Sequence, residues 1–144
     1  MGTRSSTIVK EGNLDSKSII YMYKQFDGYL SGHGADLKEA FGNTRIINGI
    51  GGSVQTPDFA NGMSCLAAQI VAEFKEEIGG IYLHPTDTDP QSYDYTLYIK
   101  PEGSIYNMPR EGLPLYVKVT SYGDREIYDG LLSEMPLNED EDED

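Results

Sequence analysis

The stretch Thr56–Gly80, TPDFANGMSCLAAQIVAEFKEEIGG, decides the fold. Phe59, Met63, Leu66, Ala67, Ile70, Val71, Phe74 and Ile78 recur at helical spacing and form one broad apolar stripe. Thr56 suits an N-cap, Pro57 suits the first helical position, and Asp58 complements the positive end of the helix dipole. Gly79-Gly80 stops the pattern. These signals predict one long helix over 57–78, with its stripe in the core.

The segments around this helix read as strands. Arg4 to Lys10 and Lys17 to Phe26 are rich in β-branched and aromatic residues, and the turn cluster Gly12-Asn13-Leu14-Asp15-Ser16 separates them. In the second, Ile19, Tyr21 and Tyr23 share one face. A short helix is expected over Ala35 to Phe41, with Leu37, Ala40 and Phe41 inward. Asn43 to Ser53 reads as a glycine-rich connection without the Gly-Lys-Ser/Thr of a phosphate loop. Beyond the long helix come strands at Gly80 to His84, Ser92 to Lys100, Leu113 to Ser121 and Glu126 to Asp129. In Ser92–Lys100, Tyr93, Tyr95, Leu97 and Ile99 fall on one face. Turns are expected at Pro101-Glu102-Gly103 and Tyr122-Gly123-Asp124, and a helical turn at Leu131 to Met135. The expected class is α+β: a curved antiparallel sheet, an N-terminal hairpin plus a C-terminal meander, packed on one helix. Residues 1–137 form one domain on this reading, followed by a disordered acidic tail over 138–144.

Composition narrows the function. The chain has 144 residues, 11 Tyr and no Trp, and a net charge of −13, with six of its acids in the run Glu139 to Asp144. Such a balance repels nucleic acid and favours basic partners. Cys65 is the only cysteine, so no intramolecular disulfide forms, which fits a reducing cytoplasm. No apolar run reaches membrane-spanning length. Catalytic constellations are thin: His84-Pro85-Thr86 is a single His-x-Thr where two-histidine phosphoesterases use a pair. The set His84, Asp87 and Asp89 matches no firm metal motif. We therefore expect no catalytic residue, no metal and no cofactor.

The loop Asp27-Gly28-Tyr29-Leu30-Ser31-Gly32-His33-Gly34 carries three glycines in eight residues. Glycines let a ligand approach the backbone, tyrosine stacks on a base, and Arg or Lys binds phosphate. Arg4, Lys24, Asp27, Tyr29 and His33 are thus the candidate ligand-binding residues. The same loop also reads as structure: a turn at Asp27-Gly28, Tyr29 plugging the core, and His33 near the next helix.

Two segments, Thr3-Arg4-Ser5-Ser6-Thr7-Ile8 and Tyr23-Lys24-Gln25-Phe26-Asp27-Gly28-Tyr29, together resemble a group of small uncharacterised bacteriophage proteins. Those begin with an Arg-Ser/Ala-Thr-Ile-like strand and continue into Tyr, a basic residue or His, an aromatic, then Asp-Gly-Tyr/Phe. Leu30 stands where that group often has Pro, and an extra Ser lies in the first motif. The likeness covers about the first 40 residues and, weakly, Ile127-Tyr128-Asp129-Gly130. It implies a phage or mobile-element accessory protein in a host cytoplasm, and no activity.

The expected function is a non-enzymatic anti-defence or host-modulating protein that sequesters a small nucleotide-like signal. Its alternatives are an acidic inhibitor that covers a basic, nucleic-acid-binding surface of a host protein, and a virion component. A pocket between two copies would give a homo-oligomer. Specific contact with a protein partner would come from Tyr93, Tyr95, Tyr98 and Tyr116 on whichever sheet face the helix leaves open.

Overall fold

The structure, a computed structural model, describes residues 2–47, 58–85, 89–101 and 111–138. The expectations for Thr56, Pro57, the glycines at 49, 51 and 52, Thr86, Asp87, the Glu102-Gly103 turn and the run 139–144 lie outside those residues.

The first hairpin forms as its alternation predicts. Strands β1 (Ser5–Lys10) and β2 (Ser18–Lys24) pair antiparallel, from Ser5 with Lys24 to Val9 with Ile20. Ser16 closes the turn between them: its hydroxyl accepts from the Gly12 amide at 2.8 Å and donates to the Asn13 carbonyl at 2.6 Å. A π-helical turn, Leu30–Gly34, then leads into α1 (Ala35–Phe41), where Leu37 and Phe41 are buried and Ala40 is exposed.

The long helix is shorter than its apolar stripe. The chain forms β3 (Arg45–Ile47) and β4 (Phe59–Asn61), which pair in parallel, so Phe59 belongs to a strand. Helix α2 then runs Gly62–Phe74, burying Met63, Leu66, Ala67 and Ile70. Gly62 has φ +83, a left-handed conformation that breaks the strand from the helix and that a side chain resists. At the other end Lys75 leaves the helix in an extended conformation. Its ammonium donates to the carbonyls of Gly79 at 2.9 Å and Ile81 at 3.4 Å, drawing the chain toward the next strand. Ile78 is therefore 99% exposed instead of completing the stripe.

The remaining strands are β5 (Ile81–His84), β6 (Tyr93–Tyr98), β7 (Leu113–Pro114), β8 (Tyr116–Ser121) and β9 (Arg125–Leu131), closed by a 3-10 turn at Leu132–Glu134. They build a six-stranded sheet in the order β5-β2-β1-β6-β8-β9 and a three-stranded sheet in the order β4-β3-β7. The large sheet is mixed, not antiparallel, because β1 and β6 pair in parallel at its centre. A parallel pair needs a long crossover, and here everything from β2 to β5 lies between the two strands in sequence.

One face of this sheet carries Val9, Met22, Tyr95, Leu97, Val117 and Val119, all fully buried, in one cluster with Leu66 and Ile70 of α2. The pleat sends the alternate residues to the other face, which we call the open face. Ile70 and Ile78 test where the helix ends. Ile70→Ala should cost about 2–5 kcal/mol by urea unfolding, and Ile78→Ala should stay within about 0.5 kcal/mol. Equal losses would contradict the truncated helix.

Candidate functional site

The five candidate residues divide between the two faces. Lys24 pairs with Ser5, and both belong to the helix-side set. His33 joins them there: its Nε2 lies 2.7 Å from the Thr7 hydroxyl, and its ring meets Phe74 and Tyr95 edge-on at centroid distances of 4.9 and 5.4 Å. His33 is fully buried, and its Nδ1 has no hydrogen-bond partner among the described residues. Burial, and then the nearby Lys24 charge, hold its pKa down at about 3. His33 is thus a neutral core histidine under the loop.

The loop around it is locked from below. Asp27 takes φ +59, and its carbonyl accepts the His33 amide at 2.7 Å. The Gly28 amide donates to the Thr3 carbonyl at 2.9 Å, and the Gly28 carbonyl accepts the Tyr95 hydroxyl at 2.7 Å. A Cβ on Gly28 would lie 2.7 Å from that of Ser5, so this position requires glycine. Asp27 and Tyr29 are exposed, with the Tyr29 hydroxyl 3.3 Å from the Asp27 carboxylate. Tyr29 therefore does not plug the core as expected: Gly28 and His33 are buried, while Asp27 and Tyr29 meet solvent.

Arg4 lies on the other side. Its carbonyl accepts the Tyr93 amide, which continues the β1–β6 ladder, so alternation from Ser5 puts Arg4 on the open face. The structure therefore does not bring Arg4 and Lys24 together. Arg4 is exposed and makes no ion pair among the described residues.

What Arg4 joins is an aromatic and polar row that the sequence did not mark as a site. Tyr82, Tyr23, Ser6, Asp94, Thr120 and Glu126 are direct neighbours across β5, β2, β1, β6, β8 and β9. His84, Tyr21, Ile8 and Thr96 form the start of the next row. The Tyr23 ring stacks on His84 at 5.3 Å and meets Tyr82 at 6.4 Å, with Tyr82 45% exposed. Tyr23 is thus the direct neighbour of the small Ser6, and the rings of Tyr82 and His84 lie one strand further out.

Asp94 is the row's distinctive polar group. Burial raises its pKa to about 6, against the opposing pull of hydrogen bonds from the Gln91 and Ser6 backbones. The Gln91 amide sits 3.3 Å from its carboxylate. The Ser6 hydroxyl beside it is buried and has no hydrogen-bond partner among the described residues.

Of the other sheet tyrosines, Tyr93 and Tyr95 turn to the helix side, and Tyr98 and Tyr116 to the open face. Tyr98 and Tyr116 stack at 5.5 Å, Tyr98 donates to Asp129, and the Lys100 ammonium lies 4.4 Å from the Tyr116 ring centre. This second cluster is internally satisfied. A groove beside α1, between Lys38, Glu39, Ser133 and Leu137, holds none of the candidate residues. Among the described residues no group of His, Cys, Asp and Glu could hold a metal ion, and no helix is long and apolar enough to cross a membrane.

Comparison with protein-family models, curated proteins and solved structures gives no match.

The two groups perturbed in the acid range, His33 and Asp94, have opposite effects on stability. His33 takes up a proton near pH 6.5 in the unfolded chain but only near 3 when folded, so its contribution is lost as pH falls below 6.5. Asp94 binds its proton near pH 6 when folded and near 3.8 when unfolded, so its contribution grows as pH falls from 6 to 4. Asp94→Asn should therefore lose stability on acidification from pH 6 to pH 4 more steeply than the parent, measured as urea midpoints. Parallel curves would contradict this assignment. In the parent, NMR should show no titration of the His33 ring between pH 5 and 8.

Proposed function

We propose that the protein is a non-enzymatic, phage-type host-modulating protein that sequesters a small nucleotide-like ligand on its open sheet face. The observation that supports this reading is the row beside Arg4. Aromatic rings, an arginine with no ion pair among the described residues, a half-buried carboxylate and a buried hydroxyl lie together across four neighbouring strands. Tyr23 and Tyr82 give π surface to a base. The Arg4 guanidinium gives a fork of donors to a phosphate. Arg4, just before β1, is two residues from Ser6 along the extended chain, about 6.6 Å, a span that a nucleotide bridges between base and phosphate. The chain's negative charge slows the approach of an anion, so affinity comes from these local groups. A flat sheet face encloses little of so small a ligand, and a second copy of the chain would supply the missing wall.

Isothermal titration against nucleoside monophosphates tests this reading. Arg4→Ala and Tyr23→Ala should each weaken binding by about 1–2 kcal/mol, the scale of a charge-assisted hydrogen bond or a stacking contact. Both variants should unfold in urea much as the parent does, because both positions lie off the core. Unchanged binding in both would remove the open face as the site.

A second reading, an acidic protein that covers a basic nucleic-acid-binding surface, has its own support on the opposite side. Asp36, Glu39, Glu73, Glu76, Glu77 and Glu134 are exposed along α1, α2, the segment after α2 and the 3-10 turn. The lysines among them are drawn onto carbonyls: Lys38 donates to Met135 at 2.8 Å, and Lys75 to Gly79 and Ile81. The chain then continues into the acidic run Glu139–Asp144. Deleting that run should weaken binding to a basic partner most at low salt, since charges farther apart than about 8 Å are screened at physiological ionic strength. Equal affinity at every salt concentration would leave the run no part in binding.

A further inference from the structure

We propose that the open-face site selects a guanine base, which sets its pairing edge against Asp94 while Arg4 holds the phosphate. This rests on the nucleotide-binding reading above and names the base within it. An ionised carboxylate offers acceptors only. Guanine alone among the common bases presents two adjacent donors on its pairing edge, N1–H and the 2-amino group. Adenine and cytosine set one donor beside a ring acceptor, and uracil sets its single donor between two carbonyls. A carboxylate facing that edge satisfies guanine in a bidentate pair and leaves every other base with an acceptor opposed to an acceptor.

The placement of Asp94 suits this task. Tyr23, Ser6 and Asp94 are consecutive in one cross-strand row. Strands lie about 4.8 Å apart, so a purine resting on the Tyr23 ring spans the width of β1, where Ser6 is itself buried, and reaches toward Asp94. The carboxylate is oriented before any ligand arrives, because the backbones of Gln91 and Ser6 both hold it. Its half-burial raises its pKa to about 6, so it is ionised at pH 7.5 yet poorly solvated. A poorly solvated carboxylate gains more from two new donors than one already bathed in water. No lysine or arginine ion pair occupies Asp94 among the described residues. The Lys118–Glu126 pair, at 3.7 Å, lies on the strands beyond it.

The test uses the full chain at pH 7.5 and titrates guanosine, inosine, adenosine, cytidine and uridine 5′-monophosphates by calorimetry. Inosine keeps N1–H and lacks the 2-amino group, so it removes one donor from the ligand without touching the protein's fold. Guanosine monophosphate should bind at least about tenfold more tightly than each of the others, the scale of one bidentate base contact. Asp94→Asn should erase that preference while Arg4→Ala weakens all five alike. Inosine binding as tightly as guanosine, or adenosine more tightly, would overturn the base assignment. Equal binding of all five, still lost on Arg4→Ala, would overturn it while leaving the nucleotide site standing. Binding of none would overturn both.

Discussion

The parallel pairing of β1 with β6 is the constraint on which the rest of the structure depends. It puts a six-residue N-terminal strand at the centre of a six-stranded sheet, with β2 antiparallel on its other side. Once β1 is central, its alternation assigns every neighbour. Ser5, Thr7 and Val9 go under α2, and Arg4, Ser6 and Ile8 go to the open face. A register slip of one residue would exchange the two sets and place Arg4 in the core. Val9, which is fully buried against Met22 and Leu97, opposes that slip.

The same constraint explains why the glycine loop is more scaffold than pocket. The loop closes the end of the helix-side face where β1 carries short polar residues, Ser5 and Thr7, in place of large apolar ones. Small side chains leave space there, and the loop fills it with Gly28 against Ser5 and His33 against Thr7. Tyr95 reaches up from β6 to bond the Gly28 carbonyl, tying the loop to the strand that is β1's parallel partner. The polar character of β1 thus serves the loop on one face, and the buried hydroxyls of Ser5 and Ser6 lack hydrogen-bond partners among the described residues on both faces. The proposed site on the open face and the packing beneath it draw on alternate residues of one strand.

How much of this was legible in the sequence follows the range of the interactions involved. Local signals worked: α1 occupies Ala35–Phe41 as its pattern requires, and the Gly12–Ser16 turn closes with its own side chains. Alternation also held where the ladder is regular, since Tyr95 and Leu97 share the helix side and Tyr21 and Tyr23 share a face, whereas Ile19 falls at the register shift between β1 and β2 and packs against the core. The helix limits failed because periodicity does not see Gly62 in a left-handed conformation or Lys75 bonded to the next strand. Three-residue strands such as β3 and β4 carry too little pattern to announce themselves, and β4 borrowed Phe59 from the helical stripe. Parallel pairing between residues 5–9 and 93–97 is a long-range choice that no local spacing encodes. That choice decided the site. Arg4 could be named from the sequence, but its separation from Lys24 and its nearness to Tyr23 and Asp94 could not. Asp94 left one faint trace: with Thr96 it breaks the apolar run Tyr93–Tyr98 at alternate positions, as a solvent-facing side of a strand does.

Backbone amide shift mapping on the ¹⁵N-labelled chain during titration with guanosine monophosphate tests the central claim most directly, because alternate residues of β1 and its neighbours report on opposite faces of one sheet. Binding on the open face should give saturable changes centred on Arg4, Ser6, Tyr23, Tyr82 and Asp94, with smaller ones at Lys24 and across α2. Changes centred on Lys24, His33 and the helix side, with the Tyr82–Asp94 row unmoved, would contradict it.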